Sequence, residues 1–478
     1  MSQSEIAVVG GGLAGMAAAL RLAEHGCRVT LFEARRQLGG RASSFRDTRT
    51  GEWIDYCQHV SMGCCTAFAD FCDRIGVSHQ FERCRTITFI GPNGRQCNVK
   101  CSRWLPAPLH LLPSLLRMRY LSLRERLSLI GALMRLVRGD FRDTPSAPTV
   151  DQWLRAAGQS PRAIEQFWGA ILVSALGVPL REASVTAARK VFIDGFLANR
   201  RAYELVVPRP PLRELLACRA GDQLTSRGVQ LRLGTPVQQI ALISGAAADQ
   251  PRFRVVLAGG EQTVSHVILA VPWRRLPDVL DNGPLREALQ VDRLQRLPSA
   301  AITGIHLWFD RPLCDLPHAV LVGRLAQWVF SRGCARAPDT QQPSYYYQVV
   351  ISGSHALAAS SRESLVETVC RELGETWPQT AAAQLVHWQV VSERDAVFSV
   401  LPGASTLRPP QSTAVDGLSL AGDWTETGWP STMEGAVRSG YLAAQRVLES
   451  LGHRKSLLVP DLPVAPLAKL LLRLRDRL

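Results

Sequence analysis

The chain begins with two apolar runs separated by a stretch of helical character. Residues 6–9 are apolar at every position, which is typical of a strand buried on both faces of a sheet. Residues 16–25 are rich in alanine and leucine and precede Gly26, so they predict a helix that ends at the glycine. Residues 29–32 form the second run, which is apolar except at Thr30 and predicts a second strand. This order predicts a β-α-β unit of an α/β fold.

Glycines follow the first run at the spacing that a bound pyrophosphate requires. Gly10 allows a tight turn, Gly12 lets the backbone approach the phosphates, and Gly15 lets helix and strand pack closely. The free N–H groups at the start of the helix attract phosphate. Glu33 ends the second run, where a carboxylate can bond ribose hydroxyls. The candidate dinucleotide-binding residues of this unit are Gly10, Gly12, Leu13, Ala14, Gly15, Glu33 and Ala34.

A second glycine pair distinguishes FAD from NAD. Gly39-Gly40-Arg41 follows the ribose carboxylate shortly afterwards. It resembles the second fingerprint of the FAD-dependent amine oxidases and carotenoid desaturases. The resemblance implies that the glycines let the chain pass close to the flavin side of FAD and that the arginine helps to hold it. We therefore expect FAD as the cofactor.

Two later parts of the chain resemble the same family. In its members, a main-chain group at the position of Val237 contacts the adenine, and a Gly-Asp pair at a strand end meets the ribityl and pyrophosphate groups. Gly422-Asp423 follows the apolar residues 418–421 in this way. A predicted helix then runs to about residue 451, and the resemblance implies that its N-terminus faces the flavin. The residues assigned to the start of this helix are Met433, Glu434, Gly435 and Ala436.

The resemblance implies an α/β fold with a Rossmann-like FAD-binding domain assembled from three chain segments. An inserted α+β substrate-binding domain accounts for the intervening residues. The predicted boundaries place FAD-binding segments at 1–60, 206–280 and 391–452, the substrate-binding parts at 61–205 and 281–390, and a linker with a basic amphipathic tail at 453–478.

Four segments are similar to one subfamily, the hydroxysqualene dehydroxylases, and this similarity extends over nearly the whole chain. The segments are residues 55–64, 306–312, 327–330 and 398–425. The similarity implies reductive removal of an allylic hydroxyl from hydroxysqualene, a long-chain isoprenoid, in squalene, hopanoid or C30 carotenoid biosynthesis.

The chain departs from the family pattern in two places. Tyr56-Cys57 stands where Asn-Gly is usual, and a glycine there would allow backbone shapes that cysteine adopts only at a cost. Pro210-Pro211 stands where many amine oxidases have glycines.

The implied reaction needs an acid that protonates the leaving hydroxyl. His59 and Asp55 are candidates because they follow the FAD fingerprint, and Glu426 is a third because it lies just past Asp423. Each has a purely structural alternative, in which Asp55 bonds only backbone and His59 only packs. Trp424 and Trp429 are candidate tunnel residues or ordinary core aromatics. No metal site is predicted.

Three other functions remain open. A carotenoid or phytoene-type desaturase shares the FAD segments but works in the oxidative direction. A flavin amine oxidase requires a site for a polar amine. A non-enzymatic flavoprotein binds FAD and lipid without turnover. The reductant of the flavin leaves no motif in the sequence.

Charge adds a prediction about location. Lys and Arg number 55 against 41 Asp and Glu, a net charge of +14, and no nucleic-acid module accompanies this excess. Two leucine-rich segments carry cations at intervals, residues 104–138 and the tail, residues 467–478. We predict a cytoplasmic protein peripherally bound to the inner face of the cytoplasmic membrane. The alternative for residues 104–138 is a helix pair whose arginine stems cover a protein core.

Overall fold

The structure is a computed structural model, and it describes residues 5–243, 251–280, 283–336, 343–380 and 382–472. The strands are β1 Glu5–Val9, β2 Arg28–Glu33, β3 Ser44–Arg46, β4 Trp53–Asp55, β5 Ser61–Met62, β6 Phe81–Cys84, β7 Thr86–Ile90, β8 Gln96–Lys100, β9 Leu205–Pro208, β10 Gln230–Leu233, β11 Val237–Leu242, β12 Phe253–Leu257, β13 Gly260–Val264, β14 His266–Leu269, β15 Ser299–Phe309, β16 His318–Leu321, β17 Trp328–Arg336, β18 Pro343–Ser352, β19 Leu385–Phe398 and β20 Leu418–Leu420. The helices are α1 Leu13–Ala23, α2 Thr66–Arg74, α3 Leu112–Leu116, α4 Leu123–Arg138, α5 Val150–Ala156, α6 Pro161–Ala163, α7 Ala170–Leu176, α8 Val185–Phe192, α9 Arg219–Ser226, α10 Leu276–Val279, α11 Pro284–Ala288, α12 Val291–Leu294, α13 Arg362–Thr376, α14 Met433–Ser450 and α15 Pro466–Leu472.

A five-stranded parallel sheet brings three distant chain segments together. Its order is β10-β2-β1-β14-β20, and every neighbouring pair is parallel. The predicted α/β class and the three-segment Rossmann-like assembly are confirmed. The apolar run of β1 is buried as expected, and Ala7 and Val8 have no exposed surface. Helices α1 and α14 pack closely together, since a Cβ on Gly440 of α14 would lie 2.2 Å from the Ala14 carbonyl oxygen of α1.

A seven-stranded sheet forms most of the inserted region. Its order is β19-β15-β18-β17-β16-β7-β8, and β16 with β7 is the parallel pair. Ile305 and Leu307 pack with α13 on one face. The alternate residue Trp308 packs with Tyr346 and Ile54 on the other face, below the β3–β4 hairpin. Side chains of β15 therefore alternate between two cores.

Two predicted domain boundaries are displaced. Strand β19 of the seven-stranded sheet runs to Phe398, past the predicted boundary at residue 390. Strand β9, Leu205–Pro208, pairs with β5 and β6 and spans the predicted boundary between 205 and 206. Both strands pair with partners far away in sequence, which local patterns do not reveal.

The helical part of the inserted region is built around aromatic residues. Trp168 lies fully buried, with Phe192 at 5.0 Å between ring centroids and Phe167 at 5.5 Å. Helix α7 ends at Leu176, since Gly177 adopts a φ of 73°. Among the described residues, no helix is both long and apolar enough to span a membrane.

The described part of the basic tail is docked on the protein. Helix α15 buries Ala468 and Leu472 against Val137 of α4, and Arg138 Nε donates to the Leu471 carbonyl at 2.9 Å. These two apolar side chains are therefore buried in a contact within the protein. Residues 473–478 of the predicted tail lie outside the described residues.

Candidate functional site

Glu33 is folded back on the glycine loop. Its Oε2 accepts from the Gly11 N–H at 2.6 Å, and its Oε1 accepts from the Arg35 N–H at 2.8 Å. The predicted ribose carboxylate thus lies beside the predicted phosphate loop. The Ala34 main chain follows directly in the same turn.

The glycines of this loop have different roles. A Cβ on Gly10 would lie 2.6 Å from the Ala270 carbonyl oxygen, and a Cβ on Gly15 would lie 1.9 Å from the Gly10 carbonyl oxygen. A Cβ on Gly12 would meet no described atom within 4 Å. The loop is therefore tightly packed at Gly10 and Gly15 and open at Gly12, beside the N–H groups of Leu13 and Ala14 at the start of α1. A pyrophosphate fits such an opening.

The second fingerprint lies directly on the first. The Gly39 N–H donates to the Gly11 carbonyl at 2.9 Å, and a Cβ on Gly40 would lie 3.1 Å from Gly12 Cα. Gly39 and Gly40 have φ values of 111° and 60°, which favour glycine. This contact explains why both glycines occur in the pattern.

Arg41 joins the first chain segment to the third. Its guanidinium pairs with the buried Asp423 and donates to the Ala396 carbonyl at 2.8 Å. Asp423 also accepts from the Ser431 hydroxyl. Gly422 precedes Asp423 and donates its N–H to Ser439 Oγ of α14 at 2.8 Å. The two predicted flavin-side motifs therefore form one cluster.

Val237 begins β11 next to the end of β2. The Gly234 N–H donates to the Arg35 carbonyl at 2.8 Å, and the Thr235 N–H donates to the Glu33 carbonyl at 2.9 Å. These bonds bring the predicted adenine-contacting residue to the ribose end of the site.

The N-terminus of α14 is capped by Thr432. Its Oγ1 accepts from the Gly435 N–H at 3.0 Å, and its carbonyl accepts from the Ala436 N–H at 3.0 Å. The N–H groups of Met433 and Glu434 occupy the first turn, where a helix offers no internal acceptor. This main chain can hold a negatively charged group.

The Glu434 side chain points elsewhere. It is fully buried and accepts from the Ala67 N–H at 3.2 Å and the Phe68 N–H at 2.8 Å, at the start of α2. It also pairs with Arg438 at 3.2 Å. Burial raises the pKa of Glu434, although these bonds oppose the rise. Only the main chain of Glu434 is thus left for the predicted cofactor contact.

Asp55 has a structural role as a helix cap. Its Oδ1 accepts from Ser44 Oγ at 2.6 Å and from the Leu212 N–H at 2.8 Å, where the helical residues before α9 begin. Its Oδ2 is buried and has no hydrogen-bond partner among the described residues. Burial raises the pKa of Asp55.

His59 is half-buried, and one of its ring nitrogens is engaged in a hydrogen bond within the protein. Nδ1 lies 2.9 Å from the Cys57 carbonyl. Because a carbonyl only accepts, Nδ1 carries hydrogen and the neutral ring has its lone pair at Nε2. Burial lowers the pKa of His59, whereas the Asp55 carboxylate opposes this shift. His59 and Asp55 are therefore electrostatic neighbours.

Glu426 lies in the turn that follows Asp423. It is exposed, and its Oε1 accepts from the Gly428 N–H at 2.8 Å within the same turn. The two tryptophans nearby are core residues: Trp424 donates to the Val271 carbonyl at 3.1 Å, and Trp429 packs below Lys190 Nζ, 4.5 Å from the ring centre.

The substitution of Cys57 for glycine is accommodated. Among the described residues, Gln290 is the one non-glycine with positive φ, so Cys57 keeps an ordinary backbone. Strand β15 passes directly above it: a Cβ on Gly304 would lie 2.7 Å from the Tyr56 carbonyl oxygen and 3.4 Å from Cys57 Cα.

A buried polar cluster beside this contact was missed in the sequence. His306 Nδ1 lies 2.7 Å from the Tyr346 hydroxyl, and Gln348 Nε2 donates to the same hydroxyl at 2.7 Å. The Trp308 ring stacks on Tyr346, with centroids 4.5 Å apart. Burial lowers the pKa of His306 to about 4, so its ring is neutral at pH 7. The signal was the alternation of His306 and Trp308 along one strand.

Arg408 supports the flavin-side turn. Its Nη2 donates to the Asp423 carbonyl at 3.1 Å and to the Thr425 carbonyl, and Phe398 lies 4.6 Å below its guanidinium. This residue lies in one of the four segments similar to the dehydroxylases. It shapes the turn through backbone atoms.

Comparisons with known proteins agree with this geometry. The hydroxysqualene dehydroxylase of Rhodopseudomonas palustris is 29% identical over 449 residues, which cover 92% of this chain and 97% of that protein. The 15-cis-phytoene desaturase of Narcissus pseudonarcissus is 25% identical over 461 residues, covering 93% and 79%. The solved structure of cyclohexylamine oxidase from Brevibacterium oxydans has a TM-score of 0.67 at 18% identity, covering 94% of this chain and 100% of that one.

The model of the family "Flavin containing amine oxidoreductase" matches residues 13–448. The cradle formed by the glycine loop, Glu33 and the start of α14 fits FAD, and the resemblance to hydroxysqualene dehydroxylases is confirmed. The chain belongs to the flavin-containing amine oxidoreductase family and is an FAD-dependent oxidoreductase.

Proposed function

We propose that this protein replaces the allylic hydroxyl of hydroxysqualene by hydrogen and so forms squalene. One observation carries the proposal. Two segments similar to hydroxysqualene dehydroxylases, residues 55–64 and 306–312, are far apart in sequence yet meet at one place. There Gly304 lies against Tyr56, and His306 begins the buried cluster on the same strand.

The reaction breaks one C–O bond and forms one C–H bond, and the hydroxyl leaves as water after it gains a proton. The hydride and its two electrons come from reduced FAD when it is bound. The protein must supply the proton, exclude water and hold the isoprenoid chain.

His59 is the proposed proton donor. Its Nδ1 is fixed by the Cys57 carbonyl, so Nε2 is the nitrogen that meets substrate. The protonated ring gives the Nε2 proton to the hydroxyl oxygen, and the Asp55 carboxylate nearby favours that protonated form. Asp55 acts through His59, since its own Oδ1 caps a helix.

Apolar residues follow His59 directly. Val60 and Met62 are half-buried and pack against the main core together with Phe196. Such surroundings suit a hydrocarbon chain and keep water from a carbocation.

The test is conversion of synthetic hydroxysqualene by the FAD-loaded protein, reduced with dithionite under anaerobic conditions. Squalene in the lipid extract, absent without protein, supports the proposal. In deuterated water the squalene formed should carry one deuterium, because the transferable hydrogen of reduced flavin exchanges with solvent. Unchanged hydroxysqualene with bound, reduced FAD contradicts the proposal.

The similarity to 15-cis-phytoene desaturase supports a second candidate, oxidative desaturation of a polyene. It requires oxidised FAD and an electron acceptor. Phytoene with a quinone, assayed by the absorbance of the longer conjugated product, distinguishes the two directions.

A further inference from the structure

Four large apolar side chains are exposed to solvent in one part of the molecule. They are Trp104 at 89% exposure, Leu123 at 60%, Leu127 at 55% and Leu470 at 74%. Exposed apolar side chains that lie together mark an interaction site, because water otherwise disfavours them.

The three segments that carry these residues are connected by packing contacts and hydrogen bonds. Helix α15, with Leu470, packs on Val137 of α4. The Ala465 N–H ahead of it donates to the Ala198 carbonyl at 2.9 Å. Nearby, Arg200 Nη2 donates to the Ser102 carbonyl at 2.6 Å, in the loop that carries Trp104. Helix α4, helix α15 and this loop therefore form one continuous surface, which we call the α4–α15 surface.

The exposed leucines of α4 belong to a single stripe. Leu123, Leu127, Ile130 and Met134 follow one another at helical spacing. Met134 packs in the cluster that holds α15, so the tail helix covers one end of the stripe. Leu123 and Leu127 at the other end stay exposed.

Cations flank this stripe. Arg124, Arg135 and Arg138 on α4 are exposed, as are Arg117 and Arg119 just before it. The acidic residue of the first turn, Glu125, is engaged with Ser122 in a capping box and with the Ser160 hydroxyl at 2.7 Å. The surface is thus apolar at its centre and positively charged at its edges.

We propose that the α4–α15 surface binds the face of an anionic lipid bilayer. Leucine and tryptophan side chains enter the boundary between headgroups and acyl chains, and the arginines meet anionic headgroups. Charge complementarity selects the bilayer over an uncharged apolar partner.

Residues 193–195 connect the α4–α15 surface to the candidate site. Ile193 packs in the cluster below α15, and two residues further on a Cβ at Gly195 would lie 3.6 Å from Met62 Cε. Lys190 of α8 lies over Trp429. A substrate dissolved in the bilayer would enter close to His59. This last link rests on the proposed function, whereas bilayer binding does not.

The test is flotation of the FAD-loaded protein with vesicles of phosphatidylcholine, with and without phosphatidylglycerol. W104A and L127Q should each weaken binding to the anionic vesicles about tenfold. R124Q and R135Q should each weaken binding to the anionic vesicles about fivefold, and the effect of each substitution should be smaller at high salt. The matched control is L242Q, since Leu242 is 42% exposed on strand β11 and should leave binding unchanged.

Three results would overturn the proposal. The first is that W104A and L127Q bind vesicles as well as the unaltered protein does. The second is that the protein binds equally well to vesicles with and without phosphatidylglycerol. The third is that the variants keep vesicle binding but lose self-association, measured by sedimentation. Turnover of hydroxysqualene in detergent is measured in parallel. Normal vesicle binding without turnover rejects the proposed function and leaves the docking surface standing.

Discussion

At the scale of single residues, the proposed chemistry depends on the protonation of His59. Burial lowers its pKa, so the protonated fraction falls as pH rises through and above that pKa. We expect kcat/KM for hydroxysqualene to fall about tenfold per pH unit above this pKa, because only the protonated ring donates. The measurement is the pH profile of squalene formation.

The variant H59Q keeps a polar side chain but removes the titration. Turnover should drop roughly 10²–10⁴-fold, and the remaining activity should lose the His59 limb of the profile. FAD content should stay unchanged. The control is H453Q, because His453 is exposed in the turn after α14. An H59Q enzyme with full activity and the same pH profile would assign the proton to another group.

At the scale of elements, Glu434 connects α14 to α2. Its carboxylate caps α2 through Ala67 and Phe68, while its own N–H remains in the first turn of α14. We expect E434A to lower the free energy of unfolding by about 3 kcal/mol, because two buried N–H groups and part of Arg438 lose their acceptor. The FAD dissociation constant should change little.

Urea unfolding and fluorescence titration of FAD separate these two effects. E449Q serves as the matched control, since Glu449 lies in the last turn of α14 and pairs with Arg446 on the surface. Weaker FAD binding by E434A at full stability would place the Glu434 side chain on the cofactor.

Strand β15 and the turn after β4 are in contact through Gly304. A Cβ there would press on the Tyr56 carbonyl at 2.7 Å, so strand and turn must separate in G304A. We expect a loss of about 1–3 kcal/mol in unfolding free energy and a lower kcat, because His59 lies three residues after Tyr56. Thermal unfolding and steady-state kinetics measure both.

G374A provides the comparison, because a Cβ on Gly374 in α13 meets no described atom within 4 Å. That substitution should be neutral or slightly stabilising. Equal kinetics in G304A and the unaltered protein would show that the turn does not depend on this contact.

The sequence predicted those parts of the site that local patterns determine. The apolar runs, Gly10-x-Gly12 and Glu33 lie within one β-α-β unit, so their spacing was enough to predict that they lie together. The cap from Glu434 to α2 and the His306–Tyr346 bond join residues far apart in the chain. No periodicity encodes such pairs. The alternation of side chains along β15 indicated which of its residues share a face, but it did not indicate which distant residues they contact.

At the scale of the whole molecule, the site exists only when three segments meet. Arg41 and Asp423 join the first and third, and Thr235 joins the second to Glu33. Because the predicted FAD contacts involve all three segments, we expect the cofactor to stabilise them as one unit. At a hundredfold excess over its dissociation constant, FAD should add about 2.7 kcal/mol, or roughly 3 °C in Tm for a chain of this length.

Hydrogen exchange of the backbone amides resolves this coupling by segment. FAD should slow exchange at residues 10–15, around Val237 and at 422–436 together. AMP carries only the adenine half of the cofactor and lacks the second phosphate and the ribityl group, so it should protect the first two regions and leave the Gly422–Ala436 region unchanged. Protection by FAD that is confined to the glycine loop would contradict a site shared by three segments. It would instead describe a nucleotide-binding unit that folds and binds without the C-terminal part of the chain.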